Sequence, residues 1–200
     1  MRPQIRKSVA AAGVTGAAAL GWTLWATRPK TSPYTVVAKE EGFEVRTYRP
    51  SVVVCTDVTS SFDEAKASAQ KRLLKYLNGE NETGGKFSII PPILEERIPR
   101  GSKTCWRLAF TLKEHLPFDK MPRPLDPRVE LVPLGIHTYG AMPFSGPITE
   151  ARLEEKKHQL LKAIGRSTWR VTGTDPMLAE YQGSPLPLLK RNEVLVAVGR

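Results

Sequence analysis

Apolar and polar residues follow two periods in the first half of the chain after its N-terminal stretch, one typical of strands and one typical of a helix. From Phe62 to Leu77, apolar side chains recur at every third or fourth position, which predicts a helix with one buried face. Ser61 is a suitable start for this helix and Asn78-Gly79 a suitable end. Runs rich in β-branched and aromatic residues predict strands on either side of it, at 34–38, 43–48, 52–58, 87–90 and 106–112.

The second half of the chain repeats this order. A helix is predicted from about Thr149 to Gly165, with Leu153, Leu160 or Leu161, and Ile164 on its apolar face. Strands are predicted before and after it, at 129–132, 136–142, 169–172 and 194–198. Two successive units of strand, strand, helix, strand and strand predict an α+β fold with duplicated halves, in which each helix covers an antiparallel sheet.

The chain begins with a long uncharged stretch between two groups of basic residues. No charged residue occurs from Ser8 to Thr27, and twenty helical residues at ~1.5 Å each span ~30 Å, the thickness of a bilayer's hydrocarbon core. Two tryptophans lie near one end, where aromatic rings favour the membrane interface. The sequence therefore predicts a tail at 1–33, with a single-pass anchor at about 8–27 and a proline-containing spacer, followed by a domain at 34–200.

Two other interpretations of this stretch stay open. A cleaved signal peptide is disfavoured because no small-x-small cleavage site follows the apolar residues cleanly. A mitochondrial targeting segment fits the lack of acidic residues, but the stretch has no amphipathic face. An anchor in a mitochondrial membrane would satisfy both patterns, and a secretory-pathway membrane is the alternative. The flanking basic residues are nearly balanced, so they specify no orientation.

Most of the net charge of +10 comes from residues 1–39, from basic residues on either side of the uncharged stretch. Six basic residues precede the first acid, Glu40, and the rest of the chain has a balance of only +4. Binding to nucleic acid would need lysines and arginines clustered on one face with aromatic side chains among them, and no such stripe occurs. The hydrophobic fraction of 40% and the charged fraction of 25% are those of a globular protein.

Residues that could carry catalysis are scattered along the chain. The three histidines, His115, His137 and His158, have no second ligand at metal spacing. Gly84-Gly85 lacks the lysine and hydroxyl residues of a phosphate loop, and Glu95-Glu96 has no general-acid partner near it. The sequence therefore predicts that the protein is not an enzyme and holds no metal cluster.

The two cysteines, Cys55 and Cys105, lie about fifty residues apart in predicted strands or beside them. They form no closely spaced pair, which excludes a zinc knuckle, a redox pair and a covalent haem attachment site. We interpret both as small buried hydrophobic residues. A disulfide between them stays open, because it depends on whether they lie on adjacent strands.

Short motifs follow one another in a fixed order along the predicted domain. They are Y-T-V-V at 34–37, F-E-V-R-T-Y at 43–48, F-D-E-A at 62–65, N-G-E-N at 78–81, K-F-S-I-I-P-P-I at 86–93, W-R-L-A-F-T-L at 106–112, P-x-P-x-D at 122–126, F-S-G at 144–146 and R-N-E-V at 191–194. In this order they resemble the SOUL/haem-binding protein family from about Tyr34 to Val198. Ile89-Ile90 stands where the family has a Met-Thr dipeptide.

This resemblance implies a fold and a ligand. The two halves would curl together into a distorted antiparallel β-barrel flanked by two helices, and a haem or other tetrapyrrole would bind beside the first helix. Lys75 matches a basic position of the family's haem pocket, and a second such position falls on Ala67. The residues expected at the site are Lys75, Lys71, Leu74 and Lys66 from the first helix, with Lys190 and Arg191 supplying another cation.

The same resemblance sets the expected manner of binding. The histidine ligand of some relatives falls on no histidine of this chain, so haem is expected to bind weakly and non-covalently, without a strong axial ligand. The expected function is that of a membrane-tethered haem carrier, buffer or sensor. Two alternatives stay open. One is an interaction domain that has lost haem and recruits a protein partner. The other is a regulatory domain for organic cations or hydrophobic ligands, which would need acidic residues in its pocket.

Overall fold

Residues 32–100, 103–114, 116–173, 175–181 and 191–200 are described by a computed structural model. They fall within one unit, Thr31–Arg200. The predicted anchor at 8–27, His115 and Lys190 lie outside the described residues. Within the described part of the chain, no helix is both long enough and apolar enough to cross a membrane.

The described residues form ten strands and two helices, besides one short 3-10 helix, and all of these strands except β9 were predicted. The first half contains β1 (Tyr34–Glu40), β2 (Phe43–Tyr48), β3 (Ser51–Val58), α1 (Phe62–Leu77), β4 (Ile89–Arg100) and β5 (Lys103–Leu112). The second half contains β6 (Val129–Leu134), β7 (His137–Ser145), α2 (Glu150–Gly165), β8 (Arg170–Val171), β9 (Met177–Tyr181) and β10 (Arg191–Gly199). A 3-10 turn, Phe118–Lys120, lies in the connection between them.

Local chemistry marks the end of α1 and the start of α2. In α1, the predicted apolar face is buried, and the acids of the first turn lie at the positive end of the helix dipole. Gly79 follows its C-cap with φ +108°, and a Cβ there would lie 2.9 Å from the carbonyl oxygen of Gly84, so only glycine fits. In α2, the hydroxyl of Thr149 accepts a hydrogen bond from the backbone N–H of Arg152, which caps the first turn.

The strands form one antiparallel sheet with an internal two-fold pattern. Its order is β1-β2-β7-β10-β9-β4-β5-β3-β6, and β8 pairs with β10. In the first half β3 pairs with β5 and β5 with β4, while in the second half β7 pairs with β10 and β10 with β9. The halves meet at β4 and β9, where Leu94 lies opposite Ala179. The halves are also joined at two further places, because β2 pairs with β7 and β6 pairs with β3.

This topology confirms the predicted α+β class and the duplication. The sheet curls into a half-barrel, and both helices pack on one side of it, which we call the helix face. There α1 packs mainly with β3 and β5, around Leu73, Phe110 and neighbouring apolar residues. The second helix packs on β7 and β10, around Leu160 and Val196. Because side chains alternate along a strand, the other half of the strand residues point to the opposite side, the inner face.

Two strands differ from the predictions, and both lie at the middle of the sheet. β9 was not predicted, since its sequence M-L-A-E-Y contains alanine and glutamate, which disfavour strands locally. It is paired on both sides, by β4 and β10, and those non-local contacts stabilise it. β4 extends from Ile89 to Arg100, past Pro91-Pro92, because the register shifts between Ile90 and Ile93 and leaves the prolines outside the ladder.

The strand register also settles the state of the cysteines. Cys55 lies opposite Ala109 on β5, four residues from Cys105, which lies opposite Ile98 on β4. Both cysteines are buried and free. This confirms their interpretation as small buried residues. Burial raises the pKa of the Cys55 thiol to about 11, so the group stays protonated at neutral pH.

Candidate functional site

An apolar depression, which we call the inner groove, runs along the inner face of the sheet. It consists of two adjoining cavities, both open to solvent. Four side chains line both cavities and join them into one surface: Leu94, Leu134, Tyr139 and Met177.

These four residues come from strands far apart in sequence, and the register places them together. Met177 on β9 lies directly opposite Leu195 on β10, which also lines the groove. Leu94 lies opposite Ala179, two residues from Met177 on the same side of β9. The floor of the groove is thus the junction of the two halves. Ligands often bind where two structural units meet, because their facing strands leave a concave surface.

Aromatic rings form one wall of the groove. Tyr139 packs edge-on against Tyr48, with ring centroids 5.7 Å apart, and Tyr48 contacts Tyr34 at 5.2 Å. The imidazole of His137 stacks on Tyr139 at 6.0 Å and 11° between the planes. Burial, with smaller contributions from Glu96 and Tyr48, raises the pKa of the Tyr139 phenol. This wall offers flat surfaces that suit a planar ligand.

His137 is held in a defined orientation at the start of β7. Its Nδ1 lies 2.8 Å from the carbonyl oxygen of Gly135. A carbonyl oxygen can only accept a hydrogen bond, so Nδ1 is the protonated donor, and in the neutral ring Nε2 carries the lone pair. Both His137 and Gly135 line the first cavity.

Charged groups lie along the groove. Arg49 is exposed and lines the first cavity, beside Pro50 and His137. Arg107 lines the second cavity, and Asp57 accepts two hydrogen bonds from its guanidinium at 2.8 and 3.0 Å. The second cavity is also lined by Glu96 and Asp175, although the sequence showed no acids clustered on the inner faces. The groove therefore has a basic side chain in each cavity and two acids in the second.

A buried charge network lies on the inner face and is formed by side chains of β2, β9 and β10. The carboxylate of Glu193 accepts hydrogen bonds from Arg46 at 2.7 Å and from the hydroxyl of Tyr181 at 2.8 Å. Arg191 donates to the same carboxylate at 2.6 Å, and its guanidinium lies 4.3 Å from the centre of the Tyr181 ring. Burial alone would lower the pKa of Arg46, and Glu193 outweighs it and raises the value. Arg191, expected at the haem site, is thus a member of a structural network.

A second charge cluster joins α1 to the centre of the sheet on the helix face. The ammonium of Lys66 lies 2.8 Å from Glu95 on β4 and 2.5 Å from Glu180 on β9. The two carboxylates occupy diagonal positions on either side of the Leu94–Ala179 pair. Burial alone would lower the pKa of Lys66, but the two acids raise it. Burial raises the pKa of Glu95, against the effect of Lys66. Lys66 therefore faces the sheet.

The other residues expected on α1 share its exposed side. The side chain of Lys75 is 52% exposed and pairs with Glu80 at 3.2 Å. Leu74 is 41% exposed, and Lys71 is also exposed, one turn before Lys75. The helix thus presents an apolar residue beside two lysines, on the opposite side of the sheet from the inner groove. Of the predicted set, the structure brings together Lys71, Leu74 and Lys75 but places Lys66 and Arg191 elsewhere.

Sequence reasoning missed most of the inner groove. Leu94, Tyr139 and Met177 were not candidates, because β9 was not predicted and the pairing of β4 with β9 joins residues about eighty positions apart. His137 was noted as a strand residue and given no role. The only local signal was its place at the start of a strand, just after Gly135. In the described part of the chain, no group of three metal-binding side chains is found.

Comparisons with known proteins identify the family and the fold. The model of the SOUL heme-binding protein family matches residues 29–197. No curated protein sequence matches the chain at a significant level. The crystal structure of the EcmrR C-terminal domain is similar, with a TM-score of 0.59 at 8% identity, over 84% of this chain and 98% of that one. A hydrolase from Listeria innocua has a TM-score of 0.51 at 14% identity, over 82% and 94%. At these identities the likeness shows the fold alone.

Proposed function

Because the chain belongs to the SOUL heme-binding protein family, we propose that it binds haem or a related tetrapyrrole non-covalently, as a carrier, buffer or sensor and without catalysing a reaction. Haem is a flat apolar ring with two propionates at one edge. A protein site for it needs apolar walls, a cation near that edge and room for the ring.

The inner groove offers the apolar walls and the cation, and this lining is the observation that carries the proposal. Its floor is apolar, with Leu94, Leu134 and Met177, and Tyr139 supplies a flat wall. Arg49 is an exposed cation beside the first cavity, placed to pair with a carboxylate. The residues of the groove therefore fit the group that the family binds.

The exposed side of α1 is the second candidate surface. It carries Lys71, Leu74 and Lys75, the residues that the family resemblance implies for the haem pocket. It offers two cations but one exposed apolar side chain. Since a drug-sized ligand usually buries most of its surface in a concave site, the groove is the better candidate. The two surfaces lie on opposite sides of the sheet, so substitutions can separate them.

Titration of haemin into the full chain, followed at the Soret band, tests the proposal. Leu134→Glu adds a carboxylate to both cavities at the end of the edge strand β6, and should weaken haem binding at least about tenfold, or 1.4 kcal/mol. Lys75→Glu, the matched variant on α1, should change the affinity less. Unfolding by urea checks that both variants fold. An unchanged Soret band with the parent protein would end the proposal, and loss of binding in Lys75→Glu alone would move the site to α1.

A protein-interaction role is a second candidate, favoured by exposed apolar residues on an edge strand. Val36 and Val37 on β1 are 38% and 48% exposed, and β1 ends the strand order of the sheet. An edge strand with apolar side chains can pair with a strand of another protein. The haemin titration separates the two roles, because an adaptor that has lost haem would leave the Soret band unchanged.

We also propose that the domain is tethered to a membrane by the uncharged stretch at 8–27. Its length matches the hydrocarbon thickness of a bilayer, and basic residues flank it on both sides. The membrane would be that of a mitochondrion or of the secretory pathway. This tether would keep a haem-binding domain at a surface where an apolar ligand partitions.

A further inference from the structure

We infer that one end of the domain, which we call the entry end, rests on an anionic lipid surface. The entry end consists of the rim of the first cavity and the connection that leaves this rim after β5: Ser32, Arg49, Gly135–His137, Lys113 and Leu116–Phe118. The inference rests on the proposed membrane tether and deepens it, since it names the surface of the domain that faces the lipid and the lipid charge that suits this surface.

The first argument is the point at which the chain enters the domain. Ser32 is buried, and its backbone N–H and its hydroxyl both donate to the carbonyl oxygen of Pro91, at 2.7 and 3.2 Å. The next carbonyl oxygen, that of Pro33, accepts a hydrogen bond from the N–H of Arg49 at 3.4 Å. Ser32, Pro33 and Arg49 all line the first cavity. The chain therefore enters the domain at a fixed place on the rim.

The second argument is the length of chain before this point. Four residues, 28–31, separate the uncharged stretch at 8–27 from Ser32. Fully extended, the chain from Thr27 to Ser32 spans at most ~18 Å. The interfacial layer on each side of the hydrocarbon core is roughly 5–8 Å thick. If 8–27 spans the bilayer, Ser32 stays within about 10–13 Å of the outer edge of the headgroups, so its surroundings are the part of the domain that meets the lipid first.

The third argument is the exposure of apolar side chains at this end. Ile136 lies in the short turn between β6 and β7, and both of its neighbours in sequence line the first cavity. It is 73% exposed, more than any other large apolar side chain in the described part of the chain. Leu116 and Phe118, in the connection after β5, are exposed as well. Side chains of this kind gain free energy when they leave water for the boundary between headgroups and acyl chains.

The fourth argument is charge. Arg49 and Lys113 are exposed at the entry end. The acid next to them, Glu114, is half-buried, and its carboxylate accepts a backbone hydrogen bond at 3.0 Å. Asp119 pairs with Lys120 at 3.8 Å, so these two add no net charge. Cations beside exposed apolar side chains suit an anionic lipid surface, where each cation strengthens binding about fivefold.

The test uses the full chain in phosphatidylcholine vesicles, with or without phosphatidylglycerol, that contain a lipid spin-labelled at its headgroup as a quencher. A fluorophore is attached to Ile136→Cys and, as the matched control on the exposed side of α2, to Leu161→Cys. Cys55 and Cys105 are buried, so the introduced thiol is the accessible one. On anionic vesicles, the lipid should quench the fluorophore at 136 several-fold more than the fluorophore at 161.

Lys113→Glu tests the charge of the entry end. In the chain labelled at 136, it should lower the ratio of quenched to unquenched fluorophore at least about fivefold on anionic vesicles, and less on neutral ones. Lys162→Glu, an exposed position on α2, is the matched control and should leave the ratio unchanged. Circular dichroism checks that each variant folds. Hydrogen exchange at the amide of Ile136 in the unlabelled chain is a second measurement, and should be slower on anionic than on neutral vesicles.

Three outcomes would overturn the inference and leave the tether intact, provided that the chain stays with the vesicles after carbonate extraction. They are equal quenching at 136 and 161, quenching at 136 that depends neither on lipid charge nor on Lys113, and protection of 136 from a soluble quencher without quenching by the lipid. The last would assign the entry end to a protein contact instead. Release of the full chain by carbonate would overturn the tether and the inference together. None of these measurements uses haem, so a failure of haem binding stays distinguishable.

Discussion

Glu193 on β10 has no solvent exposure, and three side chains donate hydrogen bonds to its carboxylate. One of them is Arg46, itself only 4% exposed. A buried carboxylate and a buried guanidinium each lose hydration on folding, so each depends on the other for compensation. Glu193 belongs to the R-N-E-V motif, which indicates the family in the sequence. Its role in the fold is thus to hold the buried charge network of the inner face together.

We expect Glu193→Ala to destabilise the protein by about 3–5 kcal/mol, because it leaves the Arg46 cation buried without its main partner. Urea denaturation followed by circular dichroism measures the change. Glu44→Ala is the control, since Glu44 also pairs with Arg46 but is 31% exposed, and it should cost about 0–1 kcal/mol. Equal losses in the two variants would show that Glu193 does not compensate Arg46.

At the scale of elements, Lys66 joins α1 to two strands that belong to different halves of the fold. Its ammonium neutralises one of the charges of Glu95 and Glu180, which come from β4 and β9. Glu95 is 3% exposed, and its burial raises the pKa of the carboxyl. The helix is therefore attached to the sheet junction by a cluster whose charge depends on pH.

This cluster predicts a pH dependence with a definite sign. For an acid with a raised pKa in the folded state, the protonated form stabilises the fold. That stability is complete below the ordinary value of 4.5 and is lost as pH rises through the folded value. We expect the unfolding free energy of the parent protein to fall, relative to that of Glu95→Gln, as pH rises above about 4.5. Urea unfolding of both proteins from pH 4 to 8 tests this, and parallel curves would contradict it.

The described domain joins two similar halves at the β4–β9 pair, and strands of each half also pair with the other, β2 with β7 and β6 with β3. This pairing ties the halves together without a linker between separate domains. It also places the inner groove across the junction, where Leu94 of one half meets Met177 of the other. A ligand in the groove would therefore contact both halves and stabilise their association by mass action.

The N-terminal stretch bears on where the whole molecule is located. We expect the full chain to stay in the membrane pellet after extraction with carbonate, because the twenty uncharged residues at 8–27 would cover ~30 Å if helical, enough to span a bilayer. A chain starting at Thr31 contains the unit Thr31–Arg200 and should appear in the wash. Immunoblotting of both fractions gives the answer. Release of the full chain into the wash would rule out a single-pass anchor.

The sequence by itself determined the elements whose information is local. Periodicity predicted α1 over Phe62–Leu77, and Gly79 marked its end, because a helix face and a positive φ depend on residues close in sequence. The repeated order of strands and helices predicted the duplicated α+β class. The order of motifs predicted the family, which the match over residues 29–197 confirms.

Only the tertiary structure decided which residues share a surface. Alternation along a strand predicts two faces, but the register with neighbouring strands decides what each face meets. Lys66 was expected at the haem site from the sequence, and in the structure it pairs with Glu180, 114 residues away. The sequence of β9 has only a weak local preference for a strand, and pairing with β4 and β10 stabilises it. The inner groove, with His137 on its wall, depends on such long-range pairing, so no local pattern could reveal it.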